Sequence, residues 1–309
     1  MNQKQRFISH LDTQQILAGL RISFPHLSPF DEFELLEDGF SSYVVLVAGE
    51  YLFRIAKHVG ARQGHLLERK VLPRITAHLP TRIPEPIWQQ DPNDYFPFGV
   101  SGYRYIPGVP LTPDRLTELD GGAIARDLAE FLLALHEIPV HEVQDCGLTH
   151  SVDSHSLPEP VAAALAAALT GPEHEKLVEW WHAGFESMAD QPTPRLLHGD
   201  LWYENIILAE NLTEVAGVLD FESMAIGDIA RDLAPLRYLG DEFADLVVSA
   251  YREMGGITGA DLALRLQRAA LLRECAGLVY AVQFPESLEM TDSVAKLRKL
   301  LVSMELTDY

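Results

Sequence analysis

The chain has 309 residues, 47% of them hydrophobic, and a formal net charge of −21. The length allows two lobes or one large domain, the composition excludes a disordered chain, and an acidic balance without clustered Lys/Arg excludes nucleic acid as the main partner. No apolar leader follows Met1-Asn2-Gln3-Lys4-Gln5-Arg6, no run approaches the ~20 apolar residues of a membrane span, and Cys146 and Cys275 are too few for a disulfide framework or a cysteine-rich zinc site, so a cytoplasmic protein without a membrane partner is expected.

The first hundred residues read as a small sheet. Phe33 to Leu36 reads as a strand, Asp38-Gly39-Phe40-Ser41-Ser42 as a turn, and Tyr43 to Val47 with Tyr51 to Ile55 as a hairpin. A helix is predicted from about Gln63 to His78, with Leu67, Val71 and Ile75 near one face and Pro80, Pro84 and Pro86 beyond its end. Ile87 to Gln90 and Gly99 to Tyr105 read as two more strands. Ile106-Pro107-Gly108-Val109-Pro110 breaks the pattern and marks the crossing to a second lobe, giving expected domains of 1–105 and 106–309.

From about Asp120 the chain reads as mainly helical. Gly121 to His136 carries Ile124, Leu128, Phe131, Leu132 and Leu135 on one stripe, followed by helices at 161–168 and 173–188. Two short strands, Ile206-Ile207-Leu208 and Val215 to Leu219, read as a hairpin. It delivers Asn205 and Asp220 to one end, where a metal ion could bridge a carboxamide and a carboxylate. Helices at 228–239, 241–254, 260–282 and 291–304 follow. No Walker-type Gly-Lys-Ser/Thr and no Gly-x-Gly-x-x-Gly occurs, which excludes the usual doubly wound nucleotide folds.

The string His198-Gly199-Asp200-Leu201-Trp202-Tyr203-Glu204-Asn205, the later Leu219-Asp220-Phe221, and Gly227-Asp228-Ile229-Ala230-Arg231-Asp232 together resemble the aminoglycoside phosphotransferase family. Ala134-Leu135-His136-Glu137-Ile138-Pro139 and Tyr105-Ile106-Pro107-Gly108 are similar to further hallmarks of that family, and the matches run from about residue 35 to 280. The resemblance implies an α+β, protein-kinase-like bilobal fold, with an antiparallel-sheet N-lobe and a larger helical C-lobe. It also implies a kinase that moves the γ-phosphate of ATP or GTP to a hydroxyl of a small polar, cationic acceptor, an aminoglycoside first, acting as a monomer or homodimer. Kinases of choline, homoserine, methylthioribose, fructosamine and macrolides share the resemblance, and a nucleotide-binding pseudokinase is the alternative from another class.

Residue by residue, the resemblance makes Asp200 the acceptor of the hydroxyl proton and Asn205 and Asp220 the holders of Mg2+. His198 is expected to pack beneath the loop, and Asp228 and Asp232 either to brace it or to cap a helix. A basic side chain from the third strand should meet the nucleotide phosphates. Arg54 and Lys57 both qualify and lie on opposite faces if the strand continues through them; family spacing favours Arg54, with Glu68 its partner. Ser41 and Ser42 are expected over the phosphates, and Tyr103, Tyr105 and Ile106 along the base pocket. Glu222 is expected either at a substrate ammonium or in solvent. Glu274 lies on the helix expected to close the acceptor pocket, with an exposed helix carboxylate as its competing reading, and Asp241, Glu242 and Glu253 are further carboxylates for a cationic acceptor. A metal-dependent hydrolase is disfavoured because the histidines show no His-x-x-x-His spacing.

Overall fold

A computed structural model of the chain describes residues 11–27, 30, 32–38, 41–151, 156–187, 192–283 and 289–305. It opens with a helix the pattern reading did not anticipate, α1 (Thr13–Ser23). Asp12 accepts from the Gln15 amide at 2.8 Å while the Gln15 side chain accepts from the Asp12 amide at 3.0 Å, a reciprocal cap that satisfies two otherwise orphaned donors. Ile16 and Leu20 on its inner face share a core with Tyr43, Phe53 and Phe96.

The expected small sheet is present. Strands β1 (Phe33–Asp38), β2 (Ser42–Val47), β3 (Tyr51–Ala56), β4 (Pro86–Gln90) and β5 (Val100–Arg104) form one antiparallel sheet in the order β1-β2-β3-β5-β4. Arg54 lies on the central strand, between Val44 and Ser101. Helix α2 (Val59–Ile75) starts four residues before the predicted Gln63, because His58 Nδ1 accepts from the Ala61 amide at 3.1 Å and caps the first turn.

Beyond the crossing, β6 (Val109–Pro110) joins a second sheet on β9 (Ile206–Leu208), which pairs antiparallel with β10 (Val215–Val218). A third sheet orders β7 (Thr149–Ser151), β11 (Ala225–Gly227) and β8 (Arg195–Leu197), pieces too short to show alternation in sequence. The remainder is helical: α3 (Pro113–Leu116), α4 (Gly121–Glu137), α5 (Glu159–Ala168), α6 (Gly171–Ser187), α7 (Ala230–Leu233), α8 (Asp241–Glu253), α9 (Leu262–Gln283) and α10 (Glu289–Glu305). The helix predicted over 228–239 is instead a single α-turn followed by a 3-10 segment, Ala234–Leu239, that carries Pro235 in its first turn. A proline lacks the amide that a continuing α-helix would use. The largest core packs α4 and α8 against the β9–β10 hairpin and Phe221. Among the described residues, no helix is long and apolar enough to cross a membrane.

Candidate active site

The loop after β8 is held from beneath. His198 is fully buried; its Nε2 donates to the Leu219 carbonyl at 2.9 Å, its Nδ1 accepts from the Asp200 amide at 3.3 Å, and its ring lies 4.4 Å from that of Phe221. These bonds use both ring nitrogens, so His198 ties the loop to the strand end that precedes Asp220. Gly199 has φ +84°, and a side-chain carbon there would collide with the Ser223 carbonyl, so only glycine fits.

Asp232 on α7 is the second support. It is fully buried and accepts from the amides of His198 at 2.9 Å and Gly199 at 2.8 Å, and from His136 Nε2 at 3.1 Å. Burial pushes its carboxyl upward, but the His136 hydrogen bond and charge, with His198 and the Gly199 amide, outweigh that and hold its pKa below the ordinary value. Asp232 is therefore a loop brace. Asp228 lies just before α7, where it accepts from the Ala230 amide at 3.0 Å and is gripped by Arg265.

Asn205 and Asp220 meet at the end of the β9–β10 hairpin. The Leu219 amide donates to the Asn205 carbonyl at 2.8 Å, and Asn205 Nδ2 donates to the Asp200 carbonyl at 3.1 Å. With its amide nitrogen so engaged, Asn205 has its side-chain oxygen left as a ligand. Asp220 takes φ +63°, a left-handed conformation uncommon outside glycine, and its side chain is 41% exposed. One carboxylate and one carboxamide oxygen are a hard, sparse donor set. It fits Mg2+, which keeps several ligands for water and phosphate oxygens.

Across the cleft, Arg54 gathers three carboxylates. Its Nη1 lies 3.0 Å from Glu68 and its Nη2 3.2 Å from Asp220, and it also pairs with Glu222. Burial works against the guanidinium's charge, but Glu68, Glu222 and Asp220 more than offset it and drive its pKa well up. Glu68 is wholly buried on α2; it accepts from Arg54 and from the Phe221 amide, each at 3.0 Å, and from the Tyr103 hydroxyl at 2.6 Å. Burial raises its carboxyl, with Arg54 pulling the other way. Lys57 lies past the end of β3, buried with its ammonium 4.1 Å above the Tyr43 ring. Arg54 thus reaches Glu68, Asp220 and Glu222, while Lys57 packs against Tyr43. Arg54→Lys keeps the charge but gives up the fork that spans Glu68 and Asp220. The expected result is a nucleotide KM raised about tenfold, ~1.4 kcal/mol, in steady-state kinetics.

Several other expectations on the nucleotide side change. Glu222 faces neither the cavity beside Asp200 nor open solvent: it binds Arg54 and lies 3.2 Å from His65 Nε2. Burial pushes its carboxyl up, and Arg54 and the His65 hydrogen bond bring it below the usual value. Room for it exists because Gly64 on α2 has no side chain; a Cβ there would lie 2.7 Å from Glu222 Cγ. Gly64→Ala should cost about 1–3 kcal/mol in urea denaturation through this overpacking. The Ser42 hydroxyl turns inward to His65 Nε2 at 3.2 Å, while Ser41 is half-buried and its carbonyl accepts from the Lys57 amide at 2.9 Å. The Tyr103 ring is core, because its hydroxyl is needed by buried Glu68. Tyr105 and Ile106 are half-buried, the Tyr105 amide is taken by the Glu50 carbonyl at 2.8 Å, and the Ile106 side chain packs on Gly217. Gly39 and Phe40 of the expected phosphate turn lie outside the described residues.

Asp200 opens on a cavity of about 690 Å³, lined also by Trp202, Arg231, Arg273, Glu274, Tyr280 and Lys296. Arg273, which the sequence reading missed as a site residue, pairs with the Asp200 carboxylate, and its guanidinium carbon stands 4.6 Å over the Trp202 ring. Glu274 lines the cavity but is not an exposed helix carboxylate. It is buried, bonded by the Tyr238 hydroxyl, and its pKa is raised chiefly by burial. Asp241, Glu242 and Glu253 are exposed on α8 and absent from the cavity wall.

The model of the phosphotransferase enzyme family matches residues 32–270. The chain is similar to the GDP and kanamycin complex of APH(2")-IIia, with TM-score 0.80 and 21% identity over 95% of this chain and 99% of that one. It is similar to the ADP-bound aminoglycoside phosphotransferase APH(2'')-Ib, with TM-score 0.69 and 21% identity over 94% and 97%. It is also similar to the apoenzyme of the macrolide 2'-phosphotransferase MphH from Brachybacterium faecium, with TM-score 0.68 and 19% identity over 91% and 98%. These likenesses give the kinase-like fold of sheet followed by helices.

Proposed function

The chain belongs to the phosphotransferase enzyme family, and from that premise we propose that it transfers the γ-phosphoryl group of ATP or GTP to a hydroxyl of a small polar molecule, with Asp200 as the base. The two-lobe division at residues 105 and 106 is part of this reading, with the nucleotide between the first sheet and the β9–β10 hairpin. The observation that carries it is the convergence of Asp200, Asn205, Asp220 and Arg54 on one cleft, with Asp200 also facing the cavity.

Phosphoryl transfer asks the protein mainly for positioning and for charge neutralisation. The acceptor oxygen attacks the γ-phosphorus, the bond from that phosphorus to the bridging oxygen breaks, and a nucleoside diphosphate departs. The hydroxyl proton passes to Asp200, whose loop is fixed by His198 and Asp232. Arg54 neutralises phosphate charge from the sheet side. Asn205 and Asp220 would hold Mg2+, which when bound supplies charge neutralisation at the phosphates.

An aminoglycoside is the acceptor suggested by the kanamycin complex among the similar structures, and the macrolide enzyme among them keeps other hydroxyl acceptors open. The test is a mass-resolved phosphorylation screen with ATP or GTP over aminoglycosides, macrolides, sugars, hydroxy acids, amino alcohols and nucleosides. A phosphate added to one class supports the reading. Absence of both product and Mg2+-nucleotide binding would sink it.

A further inference from the structure

The cavity beside Asp200 has a charge arrangement ill-suited to a polycation. Four carboxylates line it, and among the described residues each is already engaged. Asp228 is gripped by Arg265, and Asp292 lies 2.6 Å from Lys296 Nζ. Glu274 is buried and bonded by the Tyr238 hydroxyl, and burial raises its pKa. Asp200 pairs with Arg273 and has the reacting proton to take.

The basic side chains have donors to spare. Arg273 uses one nitrogen on Asp200, Lys296 one proton on Asp292, and Arg231 its Nε on the Gly199 carbonyl at 3.3 Å. Arg273 and Lys296 also converge. The guanidinium carbon lies 4.6 Å and the ammonium 5.3 Å from the centre of the Trp202 ring, and the same ammonium lies 4.9 Å from that of Tyr238. Trp202 and Tyr238 are 5.0 Å apart, so the two cations stand on one aromatic platform next to the catalytic loop.

We propose that the acceptor carries an anionic group, a carboxylate or a phosphate, alongside its reacting hydroxyl, and that Arg273 and Lys296 bind that group over Trp202. The inference rests on the phosphotransferase reading and sets an anionic acceptor in place of the aminoglycoside suggested above. A guanidinium grips either anion in fork geometry. In moving to the acceptor's anion, Arg273 releases the Asp200 carboxylate, so binding the correct acceptor also frees the base. A cationic acceptor would meet two like charges and leave Arg273 on Asp200.

Four molecules built on one ring separate charge from shape: glucosamine, glucose, glucuronate and glucose 6-phosphate, with kanamycin as a polycation. Calorimetry on the full chain with Mg2+ and ADP present gives the ranking. Glucuronate or glucose 6-phosphate should bind about tenfold or more tightly than glucose and glucosamine, and whichever anion is favoured identifies the group. Lys296→Gln and Arg273→Gln should each erase most of that preference while ADP binding stays unchanged. No charge preference, or tightest binding of glucosamine or kanamycin, overturns the inference. ADP binding and the Asp200-dependence of phosphate transfer are read separately; their loss would sink the phosphotransferase reading itself.

Discussion

Asp200→Asn should reduce kcat by about 10²–10⁴-fold, the usual contribution of a positioned base, while Mg2+-nucleotide affinity stays within about twofold. The carboxamide has almost the same shape and can still accept from Arg273, so the loop keeps its supports. His198 and Asp232 hold that loop through backbone amides and do not depend on the Asp200 side chain. What the variant lacks is a group that can take the acceptor's proton. Single-turnover phosphate transfer and nucleotide calorimetry on the same preparation provide the check. Transfer at near wild-type rate would remove Asp200 from the mechanism, and parallel loss of nucleotide affinity would mean that the variant had disturbed the site's structure.

The second large effect is on stability. Asp232→Ala deletes a fully buried carboxylate and strands the amides of His198 and Gly199 together with His136 Nε2. Breaking a buried pair of this kind costs about 3–5 kcal/mol, because the orphaned partners lose their hydrogen bonds without regaining water. Urea denaturation should show the midpoint falling with little change in slope. The pH dependence has a definite sign. The folded pKa of Asp232 lies below its ordinary value, so its carboxylate stabilises the fold above the unfolded pKa of ~3.9. That contribution is lost as pH falls through the lower folded value. The stability gap between wild type and Asp232→Asn should therefore narrow at the acid end and stay constant at neutral pH. A gap that does not change with pH would remove the charge from the explanation.

Much of this site was legible because its chemistry is local in sequence. Asp200, Asn205 and Asp220 lie within 21 residues, framed by the apolar strands Ile206–Leu208 and Val215–Val218, and a hairpin brings them together by geometry alone. Arg54 and Lys57 could not be separated by pattern, since the decision depends on where β3 stops; it stops at Ala56. Arg273 was invisible as a site residue. It reaches Asp200 across 73 positions from within α9, where an arginine is an ordinary helix former. Glu222 was misplaced for a similar reason: the glycine that makes room for it, Gly64, lies on a different element. The overlooked helix α1 did carry a signal, the Asp12 and Gln15 spacing followed by Ile16 and Leu20.

Glu68 bonds at once to the sheet through Arg54 and Tyr103 and to the catalytic hairpin's exit through the Phe221 amide. Any relative movement that preserves these bonds can turn about that carboxylate but cannot slide past it. Beside that carboxylate, Arg54 ties the same two parts together again through Asp220 and Glu222.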